Sequence, residues 1–385
     1  MITLSDLRPL GPYPSRVTTG AAARASRGLG PPTSSHSSPL GLVLAALARF
    51  DRSLGDEKRV PSLLRSTAGA RYPMLAAETV LNHLGHPVRH ARLRHYLMCP
   101  PTYFDVAYSI NPWMDPNAPL DRALAVRQWS GLVDAYLSTG HRVDLLEPLP
   151  DLPDMVFAAN GATVVAGHTL PARFANPQRE AEAAVHAAWH RRNGMLYGAS
   201  EVSQPVAINE AEGDFAVLSR RILAGFGFRT TPEAHRELAT LTGREVISLE
   251  LIDPRLFHLD LALAVLDDEH DHIAYYPDAF GEPSRRLLAE LFPDAVIANE
   301  HDAYAFGLNA VSDGLHVFIP AGAGQLRERL AAAGYWPISV DLSELIKGGG
   351  SVKCCTQEIR YAPVAAARPG LVLDHRFPRS SGGST

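Results

Sequence analysis

The chain has 385 residues, of which 46% are hydrophobic and 20% are charged, and its net charge is −5. This length can hold one large domain or two ordinary ones, and the acidic balance argues against a general affinity for nucleic acid or anionic membranes. The three cysteines form no plausible disulfide framework and no apolar run approaches a membrane span, so we expect a cytoplasmic protein.

Composition separates the two ends of the chain from its middle. The first 50 residues are rich in Arg, Ser, Gly and Pro and nearly free of acids, which is typical of a disordered extension and is also seen in organelle transit peptides. We predict a largely disordered extension over 1–93, with room for short helices at 39–50 and 73–84. The predicted folded region is 94–361, and 362–385 is a tail ending in Ser and Gly.

Two clusters of polar residues invite a metal interpretation, which we do not adopt. The four histidines His83, His86, His90 and His95 have spacings that do not keep to one helical face, so we predict a solvated basic segment. The acidic run 267–272 falls between two apolar stretches and is predicted to be a solvated hairpin tip. We therefore expect no metal at either cluster.

The predicted folded region begins with a strand at 95–99, stopped by two prolines. A helical apolar period predicts a helix at 119–139, and a strand follows at 141–146. Asn160-Gly161 between apolar runs predicts a hairpin that joins strands at 155–159 and 162–166. A helix is predicted at 177–193.

The same order of elements then recurs along the chain. Predicted strands are 205–208, 215–218, 221–224, 245–249, 258–260, 272–276, 295–298, 305–310, 315–319 and 337–340, and predicted helices are 232–242, 282–291 and 323–333. Five strand–strand–helix–strand units indicate a repeat architecture closed around an axis, rather than a doubly wound sheet.

A cysteine near the C-terminal end is the first candidate for chemistry. Three consecutive glycines, 348–350, precede Cys354 and Cys355 and let the backbone approach a ligand closely. A thiol beside such a turn is well placed to be a nucleophile. The alternative is a buried cysteine pair on a core strand.

Two further groups of polar residues are candidate partners for this thiol. His258 and Asp260 share one face of the predicted strand 258–260, or they are a surface pair. Glu210, Glu212 and Asp214 lie in one turn, and their spacing predicts that they share one face. Carboxylates clustered in this way can stabilise a cation or can cap the loop. The sequence contains neither a dinucleotide-binding fingerprint nor a Gly-Lys-Ser/Thr triplet.

An ordered set of motifs gives these candidates a common context. Their order is Met98-Cys99-Pro100-Pro101, Ile110-Asn111-Pro112-Trp113, Val156–Asn160, the Glu/Gly/Asp turn, His258-x-Asp260 and Gly-Gly-Gly…Cys354. This set, over about 94–361, resembles the guanidino-group-modifying superfamily of dimethylarginine dimethylaminohydrolases, arginine deiminases, amidinotransferases and arginine dihydrolases. The resemblance implies a five-bladed α/β propeller (pentein) of ββαβ repeats, with the active site on its axis and no cofactor.

The resemblance also implies roles for individual residues. Cys354, two residues before a threonine, matches the nucleophile, His258 the general acid/base and Asp260 the acid that grips the guanidinium. Glu210 or Glu212 matches the catalytic acid of the turn, and the choice stays open because Ala211 stands where relatives often have glycine. The substrate-binding matches are Asp154 for an acid and Arg179 and Arg229 for the α-carboxylate clamp, although without the resemblance these three would count as surface charge.

Asn160 departs from the pattern of deiminases and dimethylarginine hydrolases, which usually have Asp there. Arginine dihydrolases resemble this chain at Asn160 and at Asn111. A carboxylate prefers a cationic guanidinium, whereas an amide can also donate to the ureido oxygen of citrulline. We therefore predict a site that tolerates both arginine and citrulline.

The resulting hypothesis is a cysteine-dependent hydrolase of linear amidines. It acts on arginine or methylated arginine through an amidino-cysteine and gives citrulline or ornithine. One alternative is an amidinotransferase with an amine acceptor, and the other is a non-catalytic arginine-binding regulatory protein. The expected partner is a small molecule, without nucleic acid or membrane, and a homo-oligomer is compatible with the sequence.

Overall fold

Five small three-stranded sheets repeat through the computed structural model, which describes residues 88–198 and 201–361. The short helices predicted at 39–50 and 73–84, most of the extension and the tail region lie outside the described residues. The division into extension, folded region and tail therefore stays a prediction.

The strands and helices have the following bounds. The strands are β1 His95–Met98, β2 Arg142–Leu145, β3 Ala162–Val165, β4 His168–Pro171, β5 Glu201–Val202, β6 Phe215–Val217, β7 Arg221–Phe226, β8 Glu245–Glu250, β9 Leu263–Asp267, β10 His272–Tyr275, β11 Val296–Ile297, β12 Val311–Ser312, β13 His316–Pro320, β14 Trp336–Val340 and β15 Gln357–Glu358. The helices are α1 Arg122–Ser138, α2 Glu180–Asn193, α3 Pro232–Thr242, α4 Leu259–Ala262, α5 Glu282–Leu291, α6 Glu300–Tyr304, α7 Gly324–Ala332 and α8 Ser343–Ile346.

Each sheet is one blade with the same connectivity. Two strands pair antiparallel, a helix crosses over, and the third strand pairs parallel to the second, as in β6–β7–α3–β8. The sheets β3-β4-β5, β9-β10-β11 and β12-β13-β14 repeat this arrangement with α2, α5 and α7 as crossovers. The predicted five-bladed α/β propeller of ββαβ units is confirmed.

The fifth blade joins the two ends of the described chain. Strand β15 pairs antiparallel with β1, and β1 pairs parallel with β2 across α1. The short strand that follows Cys354 therefore closes the ring, because it completes a blade that starts more than 250 residues earlier. This pairing places the nucleophile candidate next to the closure of the propeller.

Several predicted elements are wrong, and His258–Asp260 is the most informative. These residues are not a strand: His258 is the extended residue before the helical turn α4. The N–H of Leu259, the first residue of that turn, donates to Asp214 Oδ1 at 3.1 Å, so a carboxylate from another blade caps the turn. Strands predicted at 205–208 and 305–310 are also absent from those described residues.

The hairpin predicted at Asn160-Gly161 is wrong as well. Residues 153–156 and 158–160 form two 3₁₀ turns, and the hairpin turn lies at Ala166-Gly167, where both φ angles are positive. The side-chain oxygen of Asn160 instead accepts a hydrogen bond from Arg179. A distant partner thus overrides the local turn signal.

The acidic hairpin tip is not fully solvated, contrary to the prediction. Asp267 is buried and accepts from Arg92 at 2.9 Å, and Asp268 binds Arg94 at 2.5 Å. The Arg89 guanidinium lies 4.4 Å from the ring centre of Tyr335. The described chain therefore contacts the propeller from residue 89 onward, before the predicted boundary at 94.

Residues 88–198 and 201–361 lack two features. No helix among them is long and apolar enough to cross a membrane. No group of three or more His, Cys, Asp or Glu side chains in the same ranges could hold a metal ion.

Candidate active site

The glycine run that precedes Cys354 allows a very close approach of backbone to side chains. Gly349 has φ of +88°, and a Cβ built there would lie 2.6 Å from the amide nitrogen of Asn111. A Cβ on Gly350 would lie 2.5 Å from the ring of Phe157. Any side chain here would displace its neighbours, so glycine lets the loop close over the cleft.

Cys354 is buried, with 2% of its surface exposed, and its thiol has two polar neighbours. The thiol donates to Asp260 Oδ2 at 3.2 Å and accepts from the side-chain amide of Asn309 at 3.1 Å. Burial raises the pKa of the Cys354 thiol well above its usual value, and the nearby Asp260 carboxylate adds to this. The free protein therefore holds a neutral thiol.

Asn309 holds the nucleophile loop in place, and the sequence analysis did not identify it. Its Oδ1 accepts from the backbone N–H groups of Ser351 and Cys354, both at 3.1 Å, and its Nδ2 also donates to the Asp260 carbonyl. The sequence carries one signal for it: Asn309 is a lone polar residue in the apolar run Phe306–Val311. A buried amide in such a run needs partners, and here they are the loop and the thiol.

Glu210 and His258 form a buried hydrogen-bonded pair. Glu210 Oε2 lies 2.8 Å from His258 Nε2 and accepts from Arg229 at 2.9 Å. Burial alone would raise the pKa of Glu210, but Arg229 and His258 outweigh it and hold the pKa well below the usual range. Glu210 is therefore ionised beside the imidazole.

Glu212 lies on the other side of the same turn. It binds Lys353 and Arg360, each at 2.5 Å, and accepts from the N–H of Glu358 at 3.1 Å. It lines a separate cavity on whose wall Asp260 also lies. The expectation that the carboxylates of this turn share one face is wrong for Glu210 and Glu212, because Ala211 between them has a φ of +50°.

Asp260 is buried behind the thiol. Burial raises its pKa to about 6, against an ordinary value of 3.8, although His258 and Lys353 oppose the rise. Its Oδ1 has no hydrogen-bond partner among the described residues. This carboxylate is available to a cationic group that reaches Cys354.

A narrow cleft brings most of the predicted site residues together. Its walls are Ile110, Asn111, Asp154, Phe157, Asn160, Arg179, Arg229, Phe257, His258, Gly348, Gly349 and Cys354. Glu210 and Asp260 lie behind this surface, in contact with His258 and Cys354 respectively. Glu212 is the one predicted site residue that neither lines the cleft nor binds the side chain of a residue that does.

The two predicted carboxylate-binding arginines have protein partners. Arg179 forms a bidentate pair with Glu182 and donates to Asn160, and Arg229 binds Glu210 and the carbonyl of Ile110. Both side chains are buried. They are therefore held at the cleft wall by Asn160 and Glu210, which the sequence identified as site residues, and by Glu182, which it did not.

The remaining predicted binding residues also have defined contacts. Asp154 is buried, burial raises its pKa, and its Oδ2 accepts from the Tyr108 hydroxyl at 2.8 Å. Asn111 donates to the carbonyl of Gly348 at 3.2 Å and accepts from the N–H of Trp113 at 3.0 Å. Asn111 therefore ties the first loop of the cleft to the glycine run.

No family model matches the chain. The chain is 49% identical over 293 residues to the N(G),N(G)-dimethylarginine dimethylaminohydrolase of Mycobacterium tuberculosis, which covers 75% of this chain and 94% of that protein. The chain belongs to the dimethylarginine dimethylaminohydrolase family. This membership confirms the resemblance to the guanidino-modifying superfamily.

The chain is also similar to arginine dihydrolases. It is 34% identical over 291 residues to the bifunctional arginine dihydrolase/ornithine cyclodeaminase ArgZ of Synechocystis, covering 74% of the chain but only 40% of ArgZ. In structure it resembles the N-terminal domain of an ArgZ cysteine-to-serine variant bound to substrate, with a TM-score of 0.65 and 33% identity, covering 70% of the chain and 98% of that domain.

These relatives define the class of the enzyme. The chain is a hydrolase that acts on C–N bonds of linear amidines, with arginine or methylated arginine as the substrate class and cysteine as the nucleophile. This finding supports the hydrolase hypothesis over the amidinotransferase and the non-catalytic binding protein.

Proposed function

We propose that this family member hydrolyses arginine twice, first to citrulline and then to ornithine. The observation that carries the proposal is the amide of Asn160 in the cleft that also holds Cys354 and His258. Its oxygen accepts from Arg179 at 3.0 Å, so its NH₂ group is on the opposite side. An N–H donor suits the ureido oxygen of citrulline, which a carboxylate would repel.

In the first step Cys354 attacks the guanidino carbon. Arrival of the guanidinium beside Asp260 places a positive charge near the buried thiol and lowers its pKa, because an opposite charge favours the thiolate. The C–S bond forms, the C–N bond breaks, and ammonia leaves with the proton that the thiol gave up, transferred through His258. The enzyme then holds an amidino-cysteine cation.

In the second step water attacks the same carbon. His258 takes a proton from the water, the C–S bond breaks, one proton returns to the Cys354 sulfur and one is released. The water oxygen becomes the ureido oxygen of citrulline. Glu210 orients His258 and stabilises the imidazolium, as the 2.8 Å contact supports.

A second round on citrulline yields ornithine, ammonia and carbon dioxide, with one water consumed. The α-carboxylate of either amino acid meets the N–H groups that Arg179 and Arg229 leave unused, and Asp154 and Asn111 complete the cleft. The likeness to the arginine dihydrolase domain of ArgZ supports this order of reactions.

Hydrolysis of asymmetric dimethylarginine is a second candidate, favoured by the 49% identity to the mycobacterial relative. In that reaction dimethylamine replaces ammonia as the leaving group, and the reaction stops at citrulline.

A product assay distinguishes these proposals. Purified protein receives arginine, asymmetric dimethylarginine or citrulline separately, and mass spectrometry measures citrulline, ornithine and dimethylamine, with Cys354→Ser as the control. Ornithine from both arginine and citrulline supports the two-step reaction. Dimethylamine as the only released amine would replace it with the second candidate, and silence with every substrate would refute both.

A further inference from the structure

Glu182, a residue without a role in the mechanism above, holds Arg179 in a buried fork. Arg179 Nε donates to Glu182 Oε1 at 3.0 Å and Nη2 donates to Oε2 at 2.8 Å. The two side chains are buried, and the Arg179 guanidinium also lies 4.7 Å from the ring centre of Phe174. The fork fixes both the position and the plane of the guanidinium.

The same guanidinium sets the orientation of the Asn160 amide. Arg179 Nη1 donates to Asn160 Oδ1 at 3.0 Å, and since a guanidinium only donates, the NH₂ group must point away from it. Asn160 Nδ2 donates to the carbonyl of Glu210 at 3.4 Å. A Cβ built on Gly213 would lie 2.3 Å from this Nδ2 and 3.2 Å from His258 Nδ1, so the NH₂ group lies beside the imidazole.

A second carboxylate competes for Arg179. Asp154 Oδ2 lies 3.9 Å from Arg179 Nε, and Asp154 Oδ1 has no hydrogen-bond partner among the described residues. Glu182 holds the guanidinium through two short hydrogen bonds, whereas Asp154 is at the limit of an ion pair. Loss of the Glu182 charge would leave Asp154 as the stronger partner and draw Arg179 away from Asn160.

We propose that Glu182 is a positioning residue that, through Arg179, keeps the Asn160 NH₂ group turned toward the reacting carbon. The proposal rests on the two-step function, because the amide donor matters most when the substrate carries a ureido oxygen. Glu182 thereby determines how much citrulline continues to ornithine. The guanidinium step depends on it less, since Asp260 and Cys354 are held by other groups.

The test compares Glu182→Gln with Glu180→Gln, a matched control on the exposed side of the same first helical turn. Glu182→Asp is the conservative variant. Single-turnover assays with arginine measure the hydrolysis of arginine to citrulline, and steady-state assays with citrulline measure its hydrolysis to ornithine. Thermal melting confirms the fold. Crystal structures of the wild type and Glu182→Gln report the Arg179 and Asn160 positions directly.

We expect Glu182→Gln to raise KM for both substrates, because Arg179 also meets the α-carboxylate of each, to lower kcat for citrulline at least tenfold, and to change the single-turnover rate at saturating arginine less than threefold. Glu182→Asp should recover part of the loss, Glu180→Gln should behave as wild type, and Arg179 in Glu182→Gln should bind Asp154. An equal loss in the rates of arginine hydrolysis and citrulline hydrolysis would overturn the proposal. So would an Arg179 that stays hydrogen-bonded to Asn160 Oδ1.

A wild type that makes no ornithine would refute the two-step function instead. The crystal structures would still decide whether Glu182 positions Arg179 and Asn160. Should Glu182→Gln not fold, the same comparison applies to Glu182→Asp, whose shorter side chain weakens the fork but keeps the charge.

Discussion

Glu210 Oε2 lies 2.8 Å from His258 Nε2, while Glu212, two residues later, binds Lys353 and Arg360. The positive φ of Ala211 sends the two carboxylates to opposite sides of one turn. Of two acids that the sequence left equivalent, only Glu210 contacts the imidazole, and this contact leads to the first prediction.

Replacing each of these acids by glutamine should have different effects. Glu210→Gln removes the charge beside the imidazole, and we expect kcat to fall by about 100-fold or more, in the range of general acid–base contributions. Glu212→Gln leaves two partly buried cations, Lys353 and Arg360, without this carboxylate. We expect a loss of stability of up to about 3 kcal/mol, since breaking a fully buried pair costs about 3–5 kcal/mol. Steady-state kinetics and denaturant unfolding of both variants check this. Similar kinetic defects per folded molecule would contradict the separation of roles.

Asn309→Ala should disorganise the nucleophile loop. The buried N–H groups of Ser351 and Cys354 lose their shared acceptor, at a cost of about 1–3 kcal/mol for each unsatisfied group. We expect kcat to fall by roughly 10-fold or more, as for a misplaced nucleophile, with a lower melting temperature. Asn299→Ala, which removes a helix cap away from the site, is the control and should retain activity. Full activity of Asn309→Ala would show that the nucleophile loop keeps its conformation without this side chain.

Two glycine substitutions separate strain from function. Gly349→Ala places a methyl group at φ of +88° against the Asn111 amide, and we expect activity to be lost. Gly243→Ala also has a positive φ, +65°, but nothing lies within 4 Å of its Cβ. It should cost roughly 1 kcal/mol of stability and leave kcat unchanged. Kinetics and melting curves of both variants provide the comparison, and equal activity would contradict a functional glycine.

The pH dependence should reflect Asp260, whose pKa burial raises to about 6. Below this pH the carboxyl group is protonated and cannot stabilise a guanidinium, so kcat/KM should fall on the acid side of about pH 6. A pH profile of kcat/KM for arginine checks this. If kcat/KM stays constant down to about pH 4, near the ordinary pKa of an aspartate, a group other than Asp260 contacts the guanidinium.

The same pKa has a consequence for stability, and its sign is opposite to that of a salt-bridged acid. A folded pKa above the unfolded value of 3.8 means that the native state binds the proton more tightly, so the contribution is present below pH 3.8 and is lost as pH rises to about 6. Asp260→Asn removes this titrating group. The stability of the variant relative to wild type should therefore rise between these two pH values, as measured by urea unfolding.

Local patterns in the amino-acid sequence were enough to predict a repeat architecture closed around an axis and the main chemical groups, whereas the five-bladed propeller was implied by the family resemblance. The recurring order of elements predicted α3 and α5 with the bounds the structure has, because the order of strands, turns and helices is encoded locally. The recurring strand–strand–helix–strand order predicted five repeat units. Cys354, His258 and the acids around them could be identified because burying a polar group without a partner costs free energy. Polar residues within apolar segments therefore indicate a functional or structural contact.

Which of these groups meet depends on long-range contacts. Pairing of β15 with β1 closes the ring, and the contacts Cys354–Asn309, Glu210–His258 and Arg179–Asn160 all join separate segments of the chain. Contacts of the same kind replaced the predicted strand at 258–260 and the hairpin at Asn160-Gly161. A side chain that caps or fixes a turn from another blade leaves no trace in the local sequence, since its effect exists only after the propeller has closed.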